Sequence, residues 1–178
     1  MPKIISFVAL TVGLAAAGVA VGVALAGSAK SVHTYRAAMT PAGEVPKPRA
    51  PEAARGLFTA TVTESGAVRT IRWKLTFQGL SGKAVAAHIH KGKAGVSGGV
   101  LLPLCGPCRS GQTGQAKISN DAADALERGL AYVNVHTGKN AAGEIRGQAR
   151  LVSGGSGTTG TTTTTPDDGG GGGTIPGY

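Results

Sequence analysis

The sequence predicts one all-β domain, a Greek-key β-sandwich or barrel of about seven or eight strands with one short helix. Between residues 34 and 151, short segments alternate apolar and polar residues with the period of two that half-buried strands require. Pieces that contain Gly and Ser, such as ESGA (64–67) and LSGK (80–83), separate these segments and are typical of turns. Once both termini are set aside, the 178 residues leave room for a single modest core.

The clearest alternation is in the segments GLFTATVT (56–63) and VRTIRWKLTFQGL (68–80). Each predicts an antiparallel strand with one apolar face, and the short ESGA connection predicts a hairpin between them. We expect the polar residues of both strands to point away from the core. The predicted inward positions are Phe58, Ala60, Val62, Ile71, Trp73, Leu75 and Phe77.

Later strands are predicted in VAAHIH, VLLPL, GQAKI, AYVNVHT and EIRGQARL. The segment SNDAADALERG (119–129) differs from these strands and predicts a short helix. Ser119 or Asn120 supplies the N-terminal cap, acidic residues follow in the first turn, and Gly129 stands where a helix usually ends.

Both ends of the chain are expected to lie outside this domain. Residues 1–29 contain an apolar segment over 4–27 after one early cation, which predicts a signal peptide or an N-terminal membrane anchor. Small residues in ALAGSA (24–29) place cleavage after Ala26 or Ala29. We therefore expect a secreted or extracytoplasmic protein, anchored by residues 4–27 if the segment is not cleaved. Residues 153–178 predict a disordered Thr/Gly-rich tail.

The formal net charge is +9, which is typical either of a charge that serves solubility or of attraction to acidic polymers and lipid headgroups. The cations occur singly along the sequence, and no basic run alternates with stacking aromatic residues. Nucleic acid is therefore not expected as a partner.

Three of the four histidines lie in AHIHKG (87–92) and YVNVHT (132–137). His88 and His90 share one side of their strand, since side chains alternate, and His136 can approach them if the two strands are neighbours. Such a set suits Cu(II) or Zn(II) with one position left for water. A structural role, in which the imidazoles hydrogen-bond to groups such as Glu144 or Asn134, is favoured over metal binding by the sequence. A redox enzyme is a third alternative.

The segment LCGPCRSG contains Cys105 and Cys108 in the spacing of a thioredoxin-type centre. Such a centre needs a helix after the first cysteine, and no helical pattern follows here. In an oxidising compartment we expect a local disulfide. The alternatives are thiolates that join the histidines at a metal and a reducible disulfide with a regulatory role.

The order of GEVP (43–46), the Trp73 strand, AHIHKGKAG (87–95), LAYVNVHT (130–137) and GEIRGQ (143–148) resembles the CHRD domain, a module named from chordin and also found in exported bacterial proteins. The resemblance spans residues 34–151 and supports a CHRD-like domain over 30–152. It implies a β-barrel or immunoglobulin-like sandwich, distantly similar to copper/zinc superoxide dismutases, in an extracellular setting. The family has no settled enzymatic activity.

The GEIRGQ motif has a structural interpretation, with no residue assigned to catalysis. Gly143 permits a turn with positive φ, and Glu144 and Arg146 share a face where they can pair with each other or across the sheet. Gly147 leaves room for a neighbour against the backbone.

The sequence favours an exported, non-enzymatic CHRD protein that binds another protein or an acidic envelope polymer. An extracytoplasmic copper- or zinc-binding protein is the alternative, and a thiol or copper oxidoreductase is the least favoured. The fourth copper ligand, bridging imidazole and zinc-site Asp of the dismutases are not evident in the sequence.

Overall fold

The computed structural model describes residues 30–157. This part of the chain forms nine β-strands, one short 3-10 helix and one α-helix. The strands are β1 (Lys30–Met39), β2 (Arg55–Ser65), β3 (Val68–Gln78), β4 (Ala84–Lys91), β5 (Val100–Cys105), β6 (Gln112–Lys117), β7 (Ala131–Thr137), β8 (Ile145–Gln148) and β9 (Arg150–Gly157). The 3-10 helix covers Pro41–Gly43, and helix α1 covers Asn120–Glu127.

The strands form two antiparallel sheets that pack face to face. One sheet has five strands in the order β6-β3-β2-β1-β9, and the other has four in the order β5-β4-β7-β8. The two sheets are joined at one corner, where Thr40 at the end of β1 exchanges both backbone hydrogen bonds with Arg146 of β8. The predicted all-β sandwich with one short α-helix is confirmed.

The core lies between the two sheets and is built from the inward residues of the alternating strands. In the five-stranded sheet, Phe58, Ile71 and Leu75 have no exposed surface, and Trp73 is 7% exposed. Val133 and Val135 face them from β7. Removal of this apolar surface from water supplies the main driving force for folding.

The helix and the first hairpin have the predicted capping residues and turn. The side chain of Ser119 accepts a hydrogen bond from the backbone N–H of Ala122 and so caps α1. Gly129 follows the helix with a φ of 67°. Gly66 has a φ of 58° in the connection between β2 and β3, where the absence of a Cβ makes this conformation accessible.

Two parts of the sheet pattern differ from the prediction. Strand β1 was not predicted, because its mixed sequence KSVHTYRAAM does not alternate over its first half. The segment EIRGQARL forms two strands in different sheets, β8 and β9, and the chain crosses between them at the buried Ala149.

Strand β9 also continues beyond Ser153, where we expected the tail to begin. Residues 153–157 pair with β1 through backbone groups, and such pairing requires no apolar side chains. The remainder of the expected tail, from residue 158, lies outside the described residues.

The expected signal or anchor in residues 1–29 also lies outside the described residues. Within residues 30–157, no helix has the length and apolar character needed to cross a membrane.

Close packing of the sheets makes Gly147 of β8 a sensitive position. A Cβ at this residue would overlap the carbonyl oxygen of Ala38 in β1 and crowd the Met39 side chain. We expect Gly147→Ala to lower the free energy of unfolding by about 3 kcal/mol, because backbone atoms of two sheets must separate to admit one methyl group.

Urea unfolding followed by the fluorescence of Trp73 measures this loss. Gly82→Ala is the matched control, since no atom lies within 4 Å of its added Cβ. Equal stability of the two variants would contradict the close approach of β8 and β1.

Candidate metal centre

Three histidines meet on the outer face of the four-stranded sheet. His88 and His90 lie on β4, and His136 lies on the neighbouring strand β7. One nitrogen from each ring lies within 4.8 Å of the others, and His88 and His90 are partly exposed. Their strand neighbours Ala87 and Ile89 point to the opposite side and are buried in the core. The structure therefore brings together all three sequence-predicted ligands.

Backbone carbonyls fix the orientation of two of these rings. His136 Nδ1 lies 2.9 Å from the carbonyl oxygen of Ala141, and His90 Nδ1 lies 3.0 Å from that of Gly98. A carbonyl oxygen only accepts hydrogen bonds, so both Nδ1 atoms carry the proton and donate it. In a neutral imidazole, Nε2 then keeps an unprotonated lone pair. Each of these lone pairs can accept a proton or a metal ion.

His88 completes the group by facing the unprotonated nitrogen of His136. His88 Nδ1 and His136 Nε2 are 3.1 Å apart, and the two ring centroids are 4.9 Å apart. Without a bound ion, His88 Nδ1 must donate a proton to His136 Nε2, because two lone pairs at this distance repel. A metal ion can replace that proton and accept both lone pairs.

The separation of these two nitrogens fits a first-row ion. Metal–nitrogen bonds of roughly 2.0 to 2.1 Å place neighbouring imidazole nitrogens about 2.8 to 3.4 Å apart in square-planar or tetrahedral geometry. The 3.1 Å between His88 and His136 falls in this range. The His90 nitrogen lies within 4.8 Å of the other two and moves closer to them to complete the set.

A stack of three side chains positions the His90 ring. Tyr132 lies parallel to His90, with an interplanar angle of 7° and ring centroids 4.9 Å apart. On the other side of Tyr132, the guanidinium carbon of Arg146 lies 3.4 Å from the ring centroid. Arg146 Nη2 donates to the carbonyl oxygens of Lys93 and Val96 at 3.1 and 2.8 Å. A cation held in this way fixes the tyrosine ring and, through it, the histidine ring.

The loop of residues 92–99, between β4 and β5, forms one wall of this region. It supplies the Gly98 carbonyl that binds His90, and its Gly98 N–H donates to the Tyr132 hydroxyl at 3.2 Å. A Cβ on Gly98 would overlap the carbonyl oxygen of Lys91, so the loop can close only with glycine at this position.

Glu144 orders the opposite wall, which carries the Ala141 carbonyl. Its carboxylate is 0% exposed and accepts hydrogen bonds from the Ser81 backbone and hydroxyl, from Thr137 Oγ1 and from Asn140 Nδ2. Burial alone would raise its pKa, but these hydrogen bonds outweigh burial, and the pKa lies below its usual range. Glu144 therefore remains charged and fixes the turn that orients His136.

The electrostatic environment favours neutral imidazoles. Burial, followed by the neighbouring His136 and His90, lowers the pKa of His88. Burial also lowers the pKa of His136, while the Ala141 carbonyl acts in the opposite direction. Metal binding requires the unprotonated ring, so both residues present their ligand form at neutral pH.

Comparison with known proteins identifies the family of this fold. The family model for the CHRD domain matches residues 35–149, which is more than half of the chain. The chain belongs to the CHRD domain family. Comparisons of this CHRD protein with curated proteins and with solved structures give no match.

The GEIRGQ motif of the CHRD domain places its charged residues differently from the prediction. Glu144 and Arg146 do not pair with each other: Glu144 binds Ser81, Thr137 and Asn140, whereas Arg146 lies on Tyr132 and binds the 92–99 loop. Strand β8 begins only at Ile145, so the two residues do not continue one regular alternation. Gly143 has a φ of 134°, as expected of its turn.

Sequence reasoning missed Glu44, the acidic residue of the GEVP segment. It is 6% exposed, and a Cβ on Gly143 would overlap its carboxylate. Burial raises the pKa of Glu44 to about 7, although Arg146, the Val45 backbone N–H and Asn134 lower it. Glu44 lies in an irregular loop segment, where no alternation of apolar and polar residues indicates which side chains are buried, so its burial could not be predicted.

The imidazole partners also differ from those expected. Neither Glu144 nor Asn134 hydrogen-bonds to the histidines; two loop carbonyls do. Loop carbonyls carry no side-chain signature, so the sequence does not reveal them.

Cys105 and Cys108 form a disulfide at the end of β5. Residues 109–111 form an irregular connection to β6, so no helix follows the disulfide. The histidine group contains no thiolate, since both sulfurs are bonded to each other.

The raised pKa of Glu44 predicts a pH-dependent loss of stability. The folded state holds its proton up to about pH 7, whereas the unfolded carboxyl loses it near 4.5. Between these values the native state binds more protons, so stability falls as pH rises. A shift from 4.5 to about 7 corresponds to about 3 kcal/mol.

We expect Glu44→Gln to remove this slope, because the amide does not ionise. Urea unfolding of the wild type and the variant at several pH values from 4.5 to 8 gives the slope of the free energy of unfolding against pH for each protein. The histidines contribute equally to both slopes, so the difference between the slopes reports Glu44 alone. Parallel pH profiles would contradict a protonated Glu44 in the folded CHRD domain.

Proposed function

We propose that this CHRD domain binds a divalent first-row transition ion, Cu(II) or Zn(II), through His88, His90 and His136. The observation that carries the proposal is the directed set of lone pairs. Two rings held by loop carbonyls present unprotonated Nε2 atoms beside a third imidazole. Carbonyl partners on the distal nitrogens are the usual second layer of a histidine metal site.

A purely structural role explains this arrangement less well. Histidines that only fasten loops use their nitrogens for hydrogen bonds to protein groups. His90 Nε2 is buried and has no hydrogen-bond partner among the described residues. Such a group destabilises the fold unless a bound species satisfies it. A metal ion would satisfy His90 Nε2 and would take the place of the proton shared between His88 and His136.

The donor set favours copper and zinc over hard cations. The group offers three imidazole nitrogens, whereas Ca²⁺ and Mg²⁺ prefer carboxylate and carbonyl oxygens. Three protein ligands leave a coordination position for water or for a further ligand.

The proposal assigns a binding role without turnover. The element that directly follows Cys105 and Cys108 is strand β6, so the helix dipole that activates a thioredoxin-type cysteine has no counterpart there. We also propose that the domain lies outside the cytoplasmic membrane. This location is supported by the disulfide and by the apolar segment 4–27.

Titration of the full chain with Zn(II) and Cu(II) tests the site. We expect a dissociation constant below about 1 μM for the wild type. His88→Ala, His90→Ala and His136→Ala should each weaken binding by about a hundredfold, because each removes one of three ligands. Isothermal titration calorimetry with a competing chelator measures these affinities.

His33→Ala is the matched control, because His33 lies on β1 in the other sheet. Its affinity should equal that of the wild type. Weak wild-type binding, or equal losses in all four variants, would contradict the proposed site.

Arg146 should act as a positioning residue for His90. Arg146→Lys keeps the charge but loses the planar guanidinium that covers Tyr132 and binds two carbonyls. We expect Zn(II) affinity to fall by about tenfold through a less ordered His90.

Nuclear magnetic resonance of the His90 imidazole provides a second readout, since ring-current shifts from Tyr132 should diminish in this variant. Arg150→Lys, an exposed substitution in β9, is the control. Unchanged affinity and an unchanged His90 spectrum in Arg146→Lys would show that the stack does not position the ligand.

A further inference from the structure

The outer face of the five-stranded sheet gathers cations that are scattered in the sequence. Side chains of β1, β2, β3 and β6 that point away from the core alternate with the buried Tyr35, Phe58, Ile71 and Trp73. The cationic sheet face is defined by the exposed residues Arg36, Arg72, Lys74, Lys117 and Arg150. No outward position on β1, β2, β3 or β6 holds an acidic residue.

The strand register sets the cations in an ordered array. Arg36 pairs with Arg150 on one side and with Thr59 on the other, and Thr59 pairs with Lys74. Arg72 and Lys74 follow each other on one strand, about 7 Å apart, and neighbouring strands lie about 4.8 Å apart. Like charges held at such distances repel one another, and a polyanion that lies across the sheet relieves this repulsion.

Ion pairs within the protein do not neutralise this face. The salt bridges of the described residues join Arg69 to Glu64 and Lys91 to Asp121. Glu64 has the inward parity of β2, and Asp121 lies on α1. The charges of the cationic sheet face therefore remain available to a partner.

Threonine hydroxyls line the spaces between these cations. Together with Arg72 and Lys74, they border a shallow depression of about 650 Å³. The threonines at its border are Thr34, Thr59, Thr61 and Thr113. Each hydroxyl both donates and accepts hydrogen bonds, which matches the hydroxyl groups of a sugar chain.

We propose that the cationic sheet face binds a linear, carboxylate-bearing polysaccharide. Arginine forks match carboxylates, and the intervening threonines match sugar hydroxyls. The open and shallow surface suits an extended chain that crosses several strands. Outward positions on β1, β2, β3 and β6 carry no aromatic side chain. Trp73 also borders the depression but is only 7% exposed, so it offers little surface on which a nucleic-acid base could stack.

Binding of the full chain to polygalacturonate, measured by calorimetry over a series of salt concentrations, tests the proposal. The combined variant Arg36→Gln, Arg72→Gln, Lys74→Gln should lose at least tenfold in affinity at low salt and show a weaker dependence on salt. The control Arg49→Gln, Lys83→Gln, Arg109→Gln removes the same charge from exposed positions elsewhere and should change affinity less than about twofold.

A second variant tests the hydroxyl contacts independently of charge. Thr59→Val with Thr61→Val keeps the side-chain shape, and we expect a roughly fivefold loss of affinity with no change in salt dependence. Urea unfolding verifies that each variant is folded.

Three results would overturn the proposal. Equal losses of affinity in the two charge variants would show that binding depends on net charge and not on the cationic sheet face. Absence of wild-type binding at low salt would remove the site. Equal or tighter binding of polyphosphate or duplex DNA at matched ionic strength would contradict a polysaccharide as the partner.

Discussion

The side-chain alternation of the paired strands β4 and β7 is the constraint on which the structure and its proposed chemistry depend. The register that buries Ala87, Ile89, Val133 and Val135 between the sheets places the histidines on the outer face. A slip of one residue would exchange the two sets. Core packing thus fixes the histidine positions, because the apolar residues cannot leave the interior without a large loss of stability.

The outer face of this sheet is unusual, because it buries polar side chains, whereas the inner face buries apolar ones. Tyr132, Asn134, Glu144 and Arg146 are all at least nine-tenths buried, beneath or beside the surrounding loops. A buried polar group is tolerated when it has a partner, and the loops supply backbone partners to Arg146 and both backbone and side-chain partners to Glu144. These contacts offset part of the cost of burial and also orient the imidazole rings. Through this network, the 92–99 loop and the turn that carries the Ala141 carbonyl are held in place on either side of the histidines.

Much of the fold could be predicted from the sequence, and the reason is periodicity. The strands of Phe58 and Trp73, the hairpin at Gly66 and the helix capped by Ser119 all follow from local patterns. Strand β1 and the division of EIRGQARL escaped prediction, since sheet membership is decided by distant pairing.

For the candidate site, strand parity gave the common face of His88 and His90, and the pairing with His136 required only that the two strands be neighbours. The loop carbonyls, the stack under Arg146 and the buried Glu44 are tertiary features without a pattern of their own. The same limitation applies to the cationic sheet face, whose members come from four strands and are separated by up to 114 positions in the chain, from Arg36 to Arg150. Electrostatic arrays on sheets emerge only when the register is known.

Nitrogen-15 magnetic resonance of the imidazole side chains, recorded before and after addition of Zn(II), tests whether the three histidines form a metal site. We expect His90 and His136 to carry their proton on Nδ1 in the metal-free protein. Zinc should then shift the Nε2 resonances of both, together with one nitrogen of His88, and leave His33 unchanged. Rings protonated on Nε2, or spectra that do not respond to zinc, would contradict the metal site.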